Sequence, residues 1–123
     1  MGSRWEVADA DWDRIRDRLR AVLEQTARSG DLVSYGELVQ DVPEIDGPHS
    51  HALAEMLGEI SAQCHAEGRP LLSAVVTYKE RDSPGPGFFA AAKRLGKDPG
   101  RSAEARDAFW IREVRRCWTT WAS

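Results

Sequence analysis

Apolar residues recur at helical spacing in the first quarter of the chain, where Trp12, Ile15, Leu19, Val22 and Leu23 form one stripe. That period predicts an amphipathic helix, with Asp9 or Asp11 capping its start and Gly30 ending it. The opposite face carries Asp13, Arg14, Asp17 and Arg18 and reads as solvated, with weak ion pairs at helical spacing. Leu32 and Val33 suit a very short strand. Ser34 followed by Glu37 has the spacing of a capping box, in which each side chain satisfies a free backbone N–H at a helix start. A short second helix is therefore expected from about Tyr35 to Val42, stopping before Pro43. The capping role accounts for Glu37 without a catalytic one.

The polar turn from Pro43 to Gly47 leads to a third helix over 48–67, with Pro48 in its first turn, where a missing N–H costs nothing. Leu53, Met56, Leu57, Ile60 and Cys64 form its stripe and Gly68 ends it. Leu71 to Tyr78 reads as a strand, central and buried because Ala74, Val75 and Val76 are apolar on both sides. Ser83-Pro84-Gly85-Pro86-Gly87 excludes regular structure and predicts a stiff loop. A short helix follows from Phe88 to Leu95, ended by Gly96. The last helix runs from about Ser102 to Trp121, with Phe109, Trp110, Val114, Cys117, Trp118 and Trp121 on a broad apolar face. The expected fold is α+β: a single, mostly helical winged-helix-like domain over 1–123, with about five helices and a small two- or three-stranded sheet.

The length, 123 residues at 41% hydrophobic, is enough for one core without disulfide staples. Three of the five tryptophans fall in the last fourteen residues and Trp5 and Trp12 lie near the start, so the two ends are expected to share a core. Trp118 and Trp121 read either as core or as an exposed aromatic anchor. Cys64 and Cys117 lie on helix stripes and read as buried, reduced thiols. No signal peptide, acylation signal or apolar run of membrane-spanning length is visible, which points to a cytoplasmic protein with no membrane partner.

The net charge of −3 is unevenly spread. Residues 1–50 hold six arginines against eleven acids, whereas residues 79–101 hold six basic residues against three acids. An acidic whole argues against strong non-specific nucleic-acid binding but leaves room for one basic face.

No catalytic constellation emerges, and the chain reads as a non-enzyme without cofactors. His49 and His51 flank Ser50 without a convergent base or nucleophile, and no Gly-x-Ser-x-Gly elbow occurs. His49-x-His51 with Cys64-His65 is too loose a set for a metal. Pro84-Gly85-Pro86-Gly87 opens a helix, but its prolines remove N–H groups a phosphate cradle needs. It reads as a rigid loop seating Phe88 and Phe89, or as a recognition loop or wing.

A helix, then Leu32-Val33-Ser34-Tyr35-Gly36-Glu37-Leu38, then a second helix resembles the opening of the winged helix-turn-helix domain of DNA alkyltransferases and alkyltransferase-like proteins. The resemblance covers about residues 12–80, and its sharp part is Tyr-Gly-Glu-Leu. Those proteins continue with a recognition helix and a Pro-Cys-His-Arg-Val or Pro-Trp-His-Arg-Val strand. Here helix 48–67 and Pro70 to Val76 fill those places, with Leu71 and Leu72 where the reactive Cys and its His would stand. The resemblance implies a scaffold and no catalytic residue. Leu72 to Val76 followed by Pro86-Gly87-Phe88-Phe89 is also similar to a group of small bacterial proteins.

Two functions fit. In the first, the chain is a duplex DNA-binding module. The third helix reads the major groove through His49, Ser50, His51 and Glu55, Lys79 and Arg81 form a wing on phosphate, and Lys93, Arg94, Lys97 and Arg101 extend the basic face. Glu55 and Glu59 count against it. In the second, an immunity or adaptor protein binds a protein partner through the acidic 41–46 segment and the Arg/Asp face of the first helix.

Overall fold

The computed structural model describes residues 3–4, 7–40, 42–45, 47, 50–78 and 83–122, with residues 3 and 4 described in their backbone alone. Its elements are β1 (Ser3–Arg4), β2 (Val7–Ala8), α1 (Asp9–Arg28), β3 (Val33–Ser34), α2 (Tyr35–Val39), α3 (His51–Ala66), a 3-10 turn (Leu72–Val75), β4 (Val76–Thr77), α4 (Pro86–Arg94) and α5 (Ala103–Trp121). The fold is a mostly helical α+β one. Among the described residues it has five α-helices and two small strand pairs, β1 with β2 antiparallel and β3 with β4 parallel.

The three long helices bury the faces their periods predict. α1 buries Trp12, Ile15, Leu19, Leu23 and Ala27. α3 buries Ala52, Leu53, Met56, Leu57, Ile60, Ser61 and Cys64. α5 buries Phe109, Trp110, Glu113, Val114, Cys117 and Trp121, whereas Trp118, expected on the same face, is half-buried, its Nε1 donating to the Asp31 carbonyl at 2.9 Å. Val22, expected on the α1 stripe, is instead 40% exposed, because the buried face follows the line of Leu19 and Leu23 and leaves position 22 at its edge. Both cysteines are free and buried.

Leu71 to Val76 lies at the centre, with α1, α3 and α5 packed around it. The expected burial is found, but the expected strand over 71–78 shrinks to Val76–Thr77. Residues 72–75 turn because their polar groups are satisfied locally and by α5. The Ala74 N–H donates to the Leu71 carbonyl at 3.0 Å. Trp110 Nε1 donates to the Ala74 carbonyl at 2.8 Å, and Cys117 Sγ donates to the Leu71 carbonyl at 3.3 Å. Glu113 accepts from the Leu71 N–H at 2.9 Å. A buried backbone needs such partners, and here side chains supply what a neighbouring strand would.

Helix ends follow the hydroxyl caps. Ser34 and Glu37 form the expected reciprocal box, each bond 3.1 Å. α2 stops at Val39, short of the expected Val42. α3 starts at His51 instead of 48, since the Ser50 hydroxyl accepts from the Leu53 N–H at 3.3 Å. Pro48 lies outside the described residues. α4 starts at Pro86, two residues before the expected Phe88, using proline's fixed φ at the first helical position.

A polar belt closes the α1–α3 seam. Trp12 Nε1 donates to Glu59 at 2.9 Å, Arg16 pairs with Glu59 at 3.1 Å, and Arg20 pairs with Glu67 at 2.7 Å. No helix among the described residues is long and apolar enough to cross a membrane.

Candidate functional site

The parallel register of β3 and β4 sets Val33 beside Val76 and Ser34 beside Thr77. The next residue on each strand is a tyrosine, and the rings of Tyr35 and Tyr78 meet with centroids 5.1 Å apart, tilted by 37°. Burial raises the Tyr35 phenol to about 12, so it stays a neutral hydroxyl at ordinary pH.

The tyrosine pair forms one end of a groove of about 570 Å³ that runs between α3 and α4. Its α3 wall is His51, Ala54, Glu55 and Gly58, and its α4 wall is Pro86, Phe88, Ala91 and Arg94. Leu53, Leu57 and Ser73 contribute beneath. Ser73 is buried and shares a 2.6 Å hydroxyl–hydroxyl bond with Ser61. Phe88 is held from behind by Phe109, with ring centroids 5.8 Å apart. Arg94 lies across α3 at Gly58; a Cβ there would stand 3.7 Å from its Nη2, an ordinary van der Waals distance.

At the Tyr78 end, Gly85 has φ +40°, and a Cβ at that position would fall 2.8 Å from Tyr78 Oη. Glycine is required twice over there, for the backbone angle and for the ring's approach. The Tyr78 N–H donates to the Ser83 carbonyl at 2.9 Å, tying β4 to the Pro-Gly loop. Ser83 and Gly85, just before α4, thus seat Tyr78, and the Gly85 carbonyl also accepts from the Phe88 N–H at 3.3 Å.

Ser50, His51 and Arg94 come together in this groove. His51 and Arg94 are exposed, while the Ser50 hydroxyl is engaged in capping α3. Lys93 is exposed in the last turn of α4 and Lys97 is half-buried just beyond it, neither lining the groove. His49, Lys79 and Arg81 lie outside the described residues. The residues 86–94, expected in part as wing or loop, are helix. Local sequence does not mark Tyr35, Gly58, Ser73, Tyr78 and Phe88 as site residues. Tyr35 sits inside Tyr-Gly-Glu-Leu and Phe88 directly follows the Pro-Gly segment, and these two motifs are the sequence signals for the groove.

Charge is distributed unevenly. On α1, Arg14 pairs with Asp11 and Glu44, Arg16 with Asp13, Asp17 and Glu59, and Arg20 with Glu24 and Glu67. The hydrogen bonds from Arg14 and Arg20 lower the carboxyl pKa values of Glu44 and Glu67. Lys93, Arg94 and Lys97 have no ion-pair partner among the described residues. No three His, Cys, Asp or Glu side chains among the described residues converge on a metal position.

No protein-family model matches the chain, and no curated protein or solved structure matches it.

Proposed function

We propose that the chain is a non-catalytic module that binds duplex DNA through the exposed start of α3 and the cations of α4. The observation that carries this reading is the contrast between paired and unpaired charge. Arg14, Arg16 and Arg20 of α1 are engaged by carboxylates, whereas Lys93, Arg94 and Lys97, grouped at the end of α4, have no such partner among the described residues, and Arg94 lines the same groove as the exposed His51. Basic side chains at the end of α4, one of which shares a groove with the start of α3, are suited to phosphate contacts flanking a groove-reading element. The resemblance of residues 12–80 to a winged helix-turn-helix supports the same assignment for α3. Glu55, exposed on this helix, opposes phosphate, so the phosphate contacts fall to the cations at the end of α4.

Fluorescence anisotropy with a labelled duplex tests the proposal. Three phosphate contacts predict an affinity loss of about 40-fold between about 50 mM and about 200 mM salt. Reversing Lys93, Arg94 and Lys97 to Glu should abolish binding while leaving the fold intact, because all three lie outside the core. Absence of binding at the lower salt, or binding by the triple variant with an unchanged salt slope, overturns the reading.

A further inference from the structure

We infer that the groove between α3 and α4 is a binding site for a small, planar aromatic carboxylate. Its volume, about 570 Å³, lies in the range of small-molecule sites, which combine apolar walls with a few polar groups that fix orientation. The walls suit a flat ring: Tyr35 and Tyr78 at one end, Phe88 on the α4 side, and Leu57 beneath. These rings are held in place before any ligand arrives. Tyr78 is pressed against Gly85 and Phe88 is packed on Phe109. A preformed site loses little ordering entropy on binding.

The polar groups select the rest of the ligand. Arg94 lies over Gly58 at the rim with no ion-pair partner among the described residues, although Glu55 lines the same groove. Its planar guanidinium matches a carboxylate through two parallel hydrogen bonds. Below it, the Ser73 hydroxyl already shares one bond with Ser61 and retains capacity for a ring N–H or a ring acceptor. Glu55 sets a limit on charge. It repels dianions, so a monoanionic carboxylate is favoured over a phosphate monoester. The site does not depend on the DNA reading, because its walls and its cation are present without a nucleic acid.

Calorimetric titration of the full chain with indole-3-carboxylate tests the inference in the absence of DNA. Saturable one-to-one binding is expected. Arg94→Ala should weaken it by about 10- to 100-fold, the worth of a charge-assisted hydrogen bond, and Arg94→Lys by less. Indole-3-carboxamide should bind the unaltered chain more weakly by a similar factor, yet bind Arg94→Ala no differently from the carboxylate. Ala54→Trp, at an exposed position on the groove wall, should block binding without touching the core. Indole 3-phosphate (indoxyl phosphate) should bind more weakly than the carboxylate. No saturable binding, equal binding of acid and amide, unchanged binding by Arg94→Ala or Ala54→Trp, or tighter binding of the phosphate overturns the inference. Each of these results leaves the duplex-binding experiment undecided, so the two readings fail separately.

Discussion

Glu113 of α5 accepts the backbone N–H of Leu71 at 2.9 Å, reaching across 42 positions of sequence to a carboxylate that is only 3% exposed. Its other oxygen takes Arg116 at 2.8 Å. A buried carboxylate is costly unless it is paired and hydrogen-bonded, and this one is both. It stands in for a strand neighbour at the start of the central segment, and so the path of residues 71–75 depends on a charge one helix away.

Replacing that carboxylate tests the dependence. Glu113→Leu strands the Leu71 N–H and should cost about 1–3 kcal/mol. Glu113→Gln keeps an oxygen acceptor and should cost less, about 1 kcal/mol. Urea unfolding read by tryptophan fluorescence measures both. Equal losses for the two variants would show that the Leu71 bond contributes nothing.

How far the sequence speaks for the fold follows from where the determining contacts lie. Local ones are legible. The Ser34–Glu37 box, the stripes of α1, α3 and α5 and the burial of Cys64 and Cys117 need only spacing and residue type. The turn at Leu72–Val75 is not legible, because Trp110, Glu113 and Cys117 satisfy its backbone from 36 to 46 positions away. Apolar content alone marks that segment as central without saying whether it extends or turns. The groove is half legible. Ser50, His51 and Arg94 stood out as polar residues beside helix termini, but Tyr35 and Tyr78 become neighbours only through the parallel register of β3 and β4.

Gly85→Ala should be one of the more damaging single-atom changes in the chain. The new Cβ would sit 2.8 Å from Tyr78 Oη and 2.9 Å from Cε2, at a backbone φ of +40°. Strain at such a position is worth about 1–3 kcal/mol before the ring has moved. The loss should show in thermal unfolding, and Tyr78→Ala in the same background should recover part of it. No recovery would mean that the backbone angle alone sets the requirement.

Stability should fall on the alkaline side. Burial, with a smaller push from the Glu113 carboxylate, raises the Cys117 thiol above the ordinary thiol range, and burial also raises Cys64. A group whose folded pKa is raised holds its proton more tightly in the native state. Its contribution is complete below the unfolded value, about 8.5 for a thiol, and is lost as pH rises above it, at about 1.4 kcal/mol per unit for each group. Tyr35, raised to about 12 by burial, adds the same trend between the ordinary tyrosine value of about 10 and its own. Urea midpoints at pH values of about 7, 9 and 10 should therefore decline. Cys117→Ala should begin from a lower stability at neutral pH but decline less steeply, and a slope identical to that of the unaltered chain would rule out this thiol as a source.

Gly58→Ala should be stabilising, although it lies in the groove wall. Glycine in a helix interior costs about 1 kcal/mol relative to alanine, and this one sits mid-way along α3. The added methyl would meet only Arg94 Nη2, at 3.7 Å, an ordinary van der Waals distance to the end of a flexible side chain. Nothing offsets the gain in propensity, so the melting temperature should rise by about 2–6 °C. A fall instead would mean that α4 packs on α3 more closely than the gap at Gly58 implies, and that the glycine is there for helix contact. If the rise is found, the glycine is not demanded by packing of the two helices.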